Sequence, residues 1–421
     1  MATIKPFAAL RPKPELASQI CELPYDVLSA DEARALAAGN PLSFFHVSRP
    51  EVDLPPDTDN HAPEVYAKGR DNFQKLIRDG ALKQDSQPCF YLYRQIMGGH
   101  SQTGIVAVAS CEEYLRGVIK KHELTRVDKE DDRVRHIEAL DSQTGPAFLT
   151  YKAVPALEEF SVKKISAKPE IDFTAKDGVR HSAWTISSAD EIKFIETQFA
   201  RIPFLYIADG HHRSAAAARV YLKLAGTPVS GPARTEIETR RAGDRRSENF
   251  LAVIFPHDRM QILSYNRVLK DLNGHSPEQL LNTLEAVFTG SKTGNATPGQ
   301  KHEIGLYFQG KWRMLQFRRQ FCATDDPLKQ LDVELLQQLV LAPVFGIDDP
   351  RTSNRIHFVG GIRGAAELEK LVDSGEYACA FSMFPTSMND LMVVADAGEI
   401  MPPKSTWFEP KLRDGMFCHV I

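Results

Sequence analysis

Asp209-Gly210-His211-His212-Arg213 sets a carboxylate, a glycine, two imidazoles and a guanidinium in consecutive positions, with the Ser214 hydroxyl next. That combination suits an anion, and a phosphate in particular. A guanidinium offers a planar fork to phosphate oxygens, and glycine lets the backbone approach a ligand closely. Asp209 could accept a proton or hold a magnesium ion. A second concentration, Lys120-Lys121-His122-Glu123-Leu124-Thr125-Arg126, places another carboxylate beside another imidazole. A zinc-peptidase motif would need a second His three positions after the Glu. Arg126 stands there, so that motif fails. A metal on His211 and His212 lacks further ligands at metal-site spacing.

Each residue alone has a plainer reading. Asp-Gly is common turn chemistry, an Arg beside a helix start is often just exposed, and a charged stretch such as Lys120–Arg126, running into the charged segment Val127–Leu140, is commonly solvated. The co-occurrence of all five polar residues directly after an apolar run is what favours a site.

The elements that must hold these residues follow from periodicity. Phe204–Ala208 reads as a short buried strand and Ser214–Leu224, alanine-rich, as a helix. The cluster then falls on a strand-to-helix turn, where first-turn N–H groups are unpaired and the helix dipole favours an anion. Upstream, Leu23–Val27 leads into Ser29 and Glu32, a capping-box spacing ahead of a helix stopped at Gly39. A helix is expected from about Pro63 to Arg78, then a hairpin of Cys89–Met97 and Thr103–Ala109 around Gly98-Gly99. Strands follow at Ala147–Tyr151 and His181–Ile186, and Ser188 with Glu191 repeats the capping-box spacing. Gly231–Ser247, with Arg234, Arg240, Arg241, Arg245 and Arg246, reads as a loop, either a cover approaching a phosphate or a solvated run. Glu248–Phe255 is a strand, Glu303–Phe308 and Trp312–Phe317 a hairpin, and Asp332 a cap for a helix Val333–Leu341. Gly360-Gly361-Ile362-Arg363-Gly364 lies between a strand and a helix, without the spacing of a dinucleotide or Walker loop. The proline-broken segment Met401–Arg413 is either fixed by tertiary contacts or loose.

With 421 residues the chain exceeds one ordinary core, so two or three domains are expected. A net charge of −4 gives no general attraction to nucleic acid or anionic membrane. No apolar run has the length of a signal peptide or a membrane span. Six scattered cysteines without a CxxC pair argue against a zinc knuckle or a disulfide framework. The expected address is cytoplasmic.

Lys5-Pro6-Phe7, LPYDV at Leu23–Val27, KKHELTR at Lys120–Arg126, DGHHR at Asp209–Arg213, SYNRV at Ser264–Val268, FVGGIRG at Phe358–Gly364 and the closing PPKSTWFEPKLRDG together resemble the bacterial and archaeal domain-of-unknown-function family 1015. Its central part is similar to the ParB/sulfiredoxin-like superfamily, in which the free-serine kinases phosphorylate serine to O-phosphoserine with ADP or ATP. The resemblance implies an α+β fold: a ParB/sulfiredoxin-like mixed-sheet core over 101–265 holding both motifs, an N-terminal α/β extension over 1–100, and a C-terminal α/β region over 266–421. It implies Glu123 as general base and Asp209 as base or magnesium partner. Gly210, His211, His212, Arg213 and Ser214 would hold nucleotide phosphates, and Gly210, Arg213 and Ala216 also match the Gly-x-x-Arg-x-x-Ala spacing of ParB-type CTP binders. His122, Thr125, Arg126, Arg363, Lys404 and Lys411 are assigned to the substrate side. Sulfiredoxins carry a catalytic Cys in the equivalent turn, and this chain has His. ParB proteins end their second motif in Arg, and this chain has Ala252.

The leading functional expectation is phosphoryl transfer to or from a small hydroxyl metabolite, serine or O-phosphoserine foremost, with magnesium and ADP or ATP. The alternative is a non-catalytic CTP- or ADP-binding switch acting on a protein partner. No nucleic acid or membrane partner is expected, and a homodimer is left open.

Overall fold

The computed structural model describes residues 1–225, 245–294 and 296–421. Most of the arginine-rich loop, with Arg234, Arg240 and Arg241, lies outside the described residues. The chain forms an α+β protein of two compact units, Met1–Met260 with Pro410–Ile421, and Gln261–Glu409. This grouping differs from the expected division. Position 100 falls inside an antiparallel hairpin, Phe90–Met97 with His100–Ser110, whose ladder no domain boundary can cross. The last twelve residues return to the first unit, where Cys418 and Leu10 exchange backbone hydrogen bonds.

The first unit is built on a nine-stranded mixed sheet. Its strands run in the order Ile119–Lys120, Leu205–Asp209, Ala147–Tyr151, Asn249–Pro256, His100–Ser110, Phe90–Met97, Arg180–Ile186 and Ile171–Thr174, with Ile4–Lys5 added against His100–Ser110. Two pairings are parallel: Leu205–Asp209 with Ile119–Lys120, and Asn249–Pro256 with Ala147–Tyr151. One core packs a sheet face carrying Leu149, Leu205, Ile207, Ala252 and Ile254 against helices Ala189–Phe199 and His211–Leu224. Ala215 through Ala218 are buried there, and their small side chains let the second helix sit close to the strands. The second unit holds a six-stranded sheet, all of whose pairs are antiparallel. Among the described residues no helix is long and apolar enough to cross a membrane, and all six cysteines are free.

Local chemistry explains where the elements begin. Ser29 and Glu32 form the full capping box of helix Ala30–Ala37, and Pro63 opens the helix that runs to Arg78. Ser188 and Glu191 have the same spacing, yet the Ser188 side chain makes no capping bond to helix Ala189–Phe199. Asp332 is not a cap either: Leu331 takes that position, and the Asp332 carboxylate accepts from the backbone and ring of His302 instead.

Candidate functional site

The strand Leu205–Asp209 does not run straight into its helix. Its pairing with Ala147–Tyr151 slips between Ile207 and Asp209, a bulge of the kind that re-aims a side chain at a strand end. Gly210 follows with φ +87°, and a Cβ there would sit 3.3 Å from the Ala147 Cα. Only glycine meets both demands without strain. Because Gly210 itself is the N-cap, the helix begins at His211 rather than at Ser214. No side chain caps it, so His211, His212 and Arg213 form a first turn whose N–H groups lack intrahelical partners.

The parallel pairing of Leu205 with Ile119 and Tyr206 with Lys120 brings the second motif alongside. His122 and His211 meet edge to face, ring centroids 4.5 Å apart. Glu123 Oε2 lies 3.9 Å from His211 Nδ1, with the Glu123 side chain 43% exposed and His211 only 4%. The Arg126 backbone N–H donates to His212 Nε2 at 3.1 Å, which places the His212 ring proton on Nδ1 when that ring is neutral. Two segments separated by more than eighty residues thus share one corner.

Asp209 is held on both oxygens. Oδ1 accepts the Gly210 N–H at 2.7 Å and Oδ2 meets Lys411 Nζ at 2.9 Å. Burial opposes its charge, but Lys411 first and Arg213 next outweigh that, and the carboxylate stays well below its usual range. Lys411, expected on the substrate side, is therefore a partner of Asp209. Its ammonium already serves as the counter-ion of Asp209, so Asp209 does not fit a magnesium ligand in this arrangement.

Arg213 is also engaged. Nη1 donates to the Pro146 carbonyl at 2.9 Å and Nη2 to Asp26 at 3.1 Å, while its buried Nε has no hydrogen-bond partner among the described residues. Burial works against this cation, yet Asp26, Asp414, Tyr25 and Asp209 hold it firmly protonated. Tyr25 packs under two guanidinium groups, Arg133 at 3.8 Å from the ring centroid and Arg213 at 5.5 Å. Asp414 is buried, its Oδ1 lacks a hydrogen bond, and burial pushes its carboxyl up to about 6 despite both arginines. A small pocket is lined here by Tyr25, Arg133, His136, Gly145, Arg213 and Asp414.

The remaining expected site residues fall in several places. Ser214 is fully buried and its hydroxyl donates to the Gly210 carbonyl. Thr125 donates to Glu130, and the exposed Arg126 guanidinium pairs with Asp128. Arg363 and Lys404 belong to the second unit; Arg363 precedes helix Gly364–Asp373, and Lys404 lies over the Tyr265 ring at 5.4 Å. Sequence reasoning did not single out Tyr25, Asp26, Arg133 or Asp414. Tyr25 and Asp26 sit in the LPYDV run and Asp414 is next to last in the closing motif, but nothing local marks them as partners of Arg213.

Burial keeps the histidines uncharged. His122 is pushed down to about 4, and His211 falls further because burial is joined by its neighbour His122. His212 is lowered less, since Asp26 and Glu130 partly offset its burial. Near neutral pH the corner thus presents neutral imidazoles, a half-exposed carboxylate at Glu123, fixed cations at Arg213 and Arg133, and an uncapped helix start.

The chain belongs to the family described as protein of unknown function (DUF1015), whose model matches residues 4–334. No curated protein matches it. Among solved structures it is similar to a free serine kinase in complex with AMP, at 12% identity over 72% of this chain and 86% of that one, with a TM-score of 0.34. It is also similar to a conserved hypothetical protein from Pyrococcus furiosus, at 12% identity, 74% and 93% coverage and a TM-score of 0.35. A third is SbnI with a C-terminal truncation from Staphylococcus aureus, at 11% identity, 73% and 85% coverage and a TM-score of 0.37. Likenesses this distant assign no residue a role, so the roles below rest on the geometry of this chain.

Proposed function

We propose that this member of the family transfers a phosphoryl group between a nucleoside di- or triphosphate and a small hydroxyl metabolite, serine and O-phosphoserine being the foremost pair, on a ParB/sulfiredoxin-like core. The observation that carries the reading is the juxtaposition of Glu123 with the uncapped start of helix His211–Leu224. In phosphoryl transfer the protein mainly positions groups and neutralises charge. The N–H groups of the first turn and the helix dipole would receive phosphate oxygens, with the Arg213 charge behind them. Glu123, half-exposed at the rim, would take the hydroxyl proton as the oxygen attacks phosphorus and the bond to the nucleotide's leaving oxygen breaks. Lys411 fixes Asp209, and the Asp209 carboxylate fixes the Gly210 N–H, so this pair acts as a positioning unit.

The test incubates purified protein with serine, magnesium and ADP or ATP and follows O-phosphoserine by phosphorus NMR. Product that disappears in Glu123→Gln while nucleotide binding persists supports the reading. Tight nucleotide binding without turnover on any hydroxyl acceptor would favour the switch that acts on a protein partner. Absence of both nucleotide and phosphoserine binding would remove the reading altogether.

A further inference from the structure

The two histidines at the base of the corner raise a separate question. His122 is 2% exposed and His211 4%. Among the described residues His211 Nε2 has no hydrogen-bond partner, and a His122 ring nitrogen meets only the Ile207 backbone, outside good hydrogen-bond geometry. Buried polar atoms are almost always satisfied, and each one left over calls for an explanation. Packing two imidazoles edge to face at the ends of neighbouring parallel strands explains their closeness but not the unmet nitrogen of His211.

A third donor lies beside them. One ligand atom each from His122, Glu123 and His211 can be chosen so that all lie within 4.8 Å of one another. Around zinc, with bonds near 2.0–2.2 Å, tetrahedral ligand atoms stand roughly 3.5 Å apart. Closing the set thus requires a shift of about an ångström. Glu123 Oε2 already lies 3.9 Å from His211 Nδ1, and its side chain is 43% exposed against 4% for His211, so the carboxylate is the ligand with room to adjust toward the imidazoles. Two neutral imidazoles and one carboxylate favour a borderline divalent ion of the zinc class over magnesium, which prefers oxygen ligands.

We propose that His122, Glu123 and His211 form a binding site for a divalent transition-metal ion of the zinc class, with a fourth position open to water or an anionic ligand. The site shares Glu123 with the proposed phosphoryl transfer, so occupancy withdraws that carboxylate from proton acceptance and zinc inhibits turnover. The metal-binding claim itself stands independently of the transfer.

Full-length protein freed of metal with a chelator, then titrated with zinc sulfate by calorimetry, is expected to bind one ion per chain, with magnesium chloride giving no comparable heat. Cobalt(II) should give the visible absorption of a low-coordinate site. Glu123→Gln, a near-isosteric change at a half-exposed position, should weaken zinc on the order of tenfold or more, and His211→Asn should abolish the cobalt spectrum. If His211→Asn fails to fold, the Glu123→Gln titration decides alone. Absence of zinc binding, or zinc binding unchanged by Glu123→Gln, would overturn the proposal. A nucleotide titration of the metal-free protein reports on the transfer reading separately, so failure of one leaves the other standing.

Discussion

Two strand-to-helix corners in this chain carry glycine and arginine in similar order, and they differ in what surrounds them. At Asp209–Arg213 the carboxylate and the guanidinium are each tied to residues far away in sequence, Lys411 and Asp26. Buried polar atoms with unmet bonding capacity lie close by on His122, His211, Arg213 and Asp414. At Gly360–Gly364, Ile362 is exposed and helix Gly364–Asp373 has Glu367 in its first turn. Gly361 is there for room, since a Cβ would fall 2.7 Å from the Ser264 carbonyl oxygen. Spacing alone would have ranked the two as relatives. The difference lies in stored electrostatics: the first corner keeps charges and imidazoles out of water in a fixed arrangement, and the second is a solvated turn.

That contrast can be broken most directly at Glu123. Glu123→Gln is expected to lower the transfer rate about 10²–10⁴-fold, with little change in stability, while Arg363→Ala leaves the rate unchanged; steady-state kinetics on the two variants side by side checks both. If Arg363→Ala were as damaging, the second corner would have to be counted as functional.

Acid offers the next largest effect. His122 and His136 are each pushed down to about 4 by burial. A depressed histidine contributes stability that is present above the unfolded value near 6.5 and lost as pH falls through the folded value near 4. Each amounts to on the order of 3 kcal/mol at full loss. Asp414, raised to about 6, works the other way, its contribution fading as pH rises through that range. Histidines outnumber it, so the first unit should weaken between about pH 6.5 and 4. The second unit has no buried histidine among its described residues, and hydrogen exchange followed segment by segment should show it holding out longer.

Glycine substitutions sharpen the comparison further. Gly210→Ala must adopt φ +87° and approach Ala147, which should cost about 1–3 kcal/mol and weaken nucleotide binding in calorimetry. Gly364→Ala, at φ +70° with open space around it, should cost a similar amount of stability in urea titrations yet leave nucleotide binding alone. Smallest of these, Lys411→Met should destabilise by about 1–2 kcal/mol once solvent contact at Asp209 is discounted. It should also release the Asp209 carboxylate, visible as an upward move in its titration by NMR.

What could be read in advance divides along the reach of the interactions. The Ser29–Glu32 box, helix Pro63–Arg78 and the strand before Asp209 are set by neighbours within a turn or a pleat, and they appear where the pattern placed them. Ser188 and Glu191 spell the same box and do not close it, because a local preference is easily overridden once an element packs. The pairing of the two polar motifs was a bet on folding, and the parallel ladder from Ile119 to Leu205 is what carries it. Asp26 and Arg133 were out of reach. In the sequence Arg133 is one charge among many, yet its guanidinium lies over the Tyr25 ring and donates through Nε and Nη2 to Asp132. Only its contact with the distant Tyr25 distinguishes it from its exposed neighbours.

The return of residues 410–421 to the first unit has a bearing on how this molecule comes into being. Lys411 reaches Asp209 across 202 positions of sequence, and the whole of the second unit is translated in between. A ribosome that has finished the helix after DGHHR has therefore made a corner whose carboxylate has Arg213 nearby but still lacks its ion pair with Lys411. Completion of this corner must wait for residues 410–421 to emerge and fold back, which makes it a late event in the life of each newly made chain.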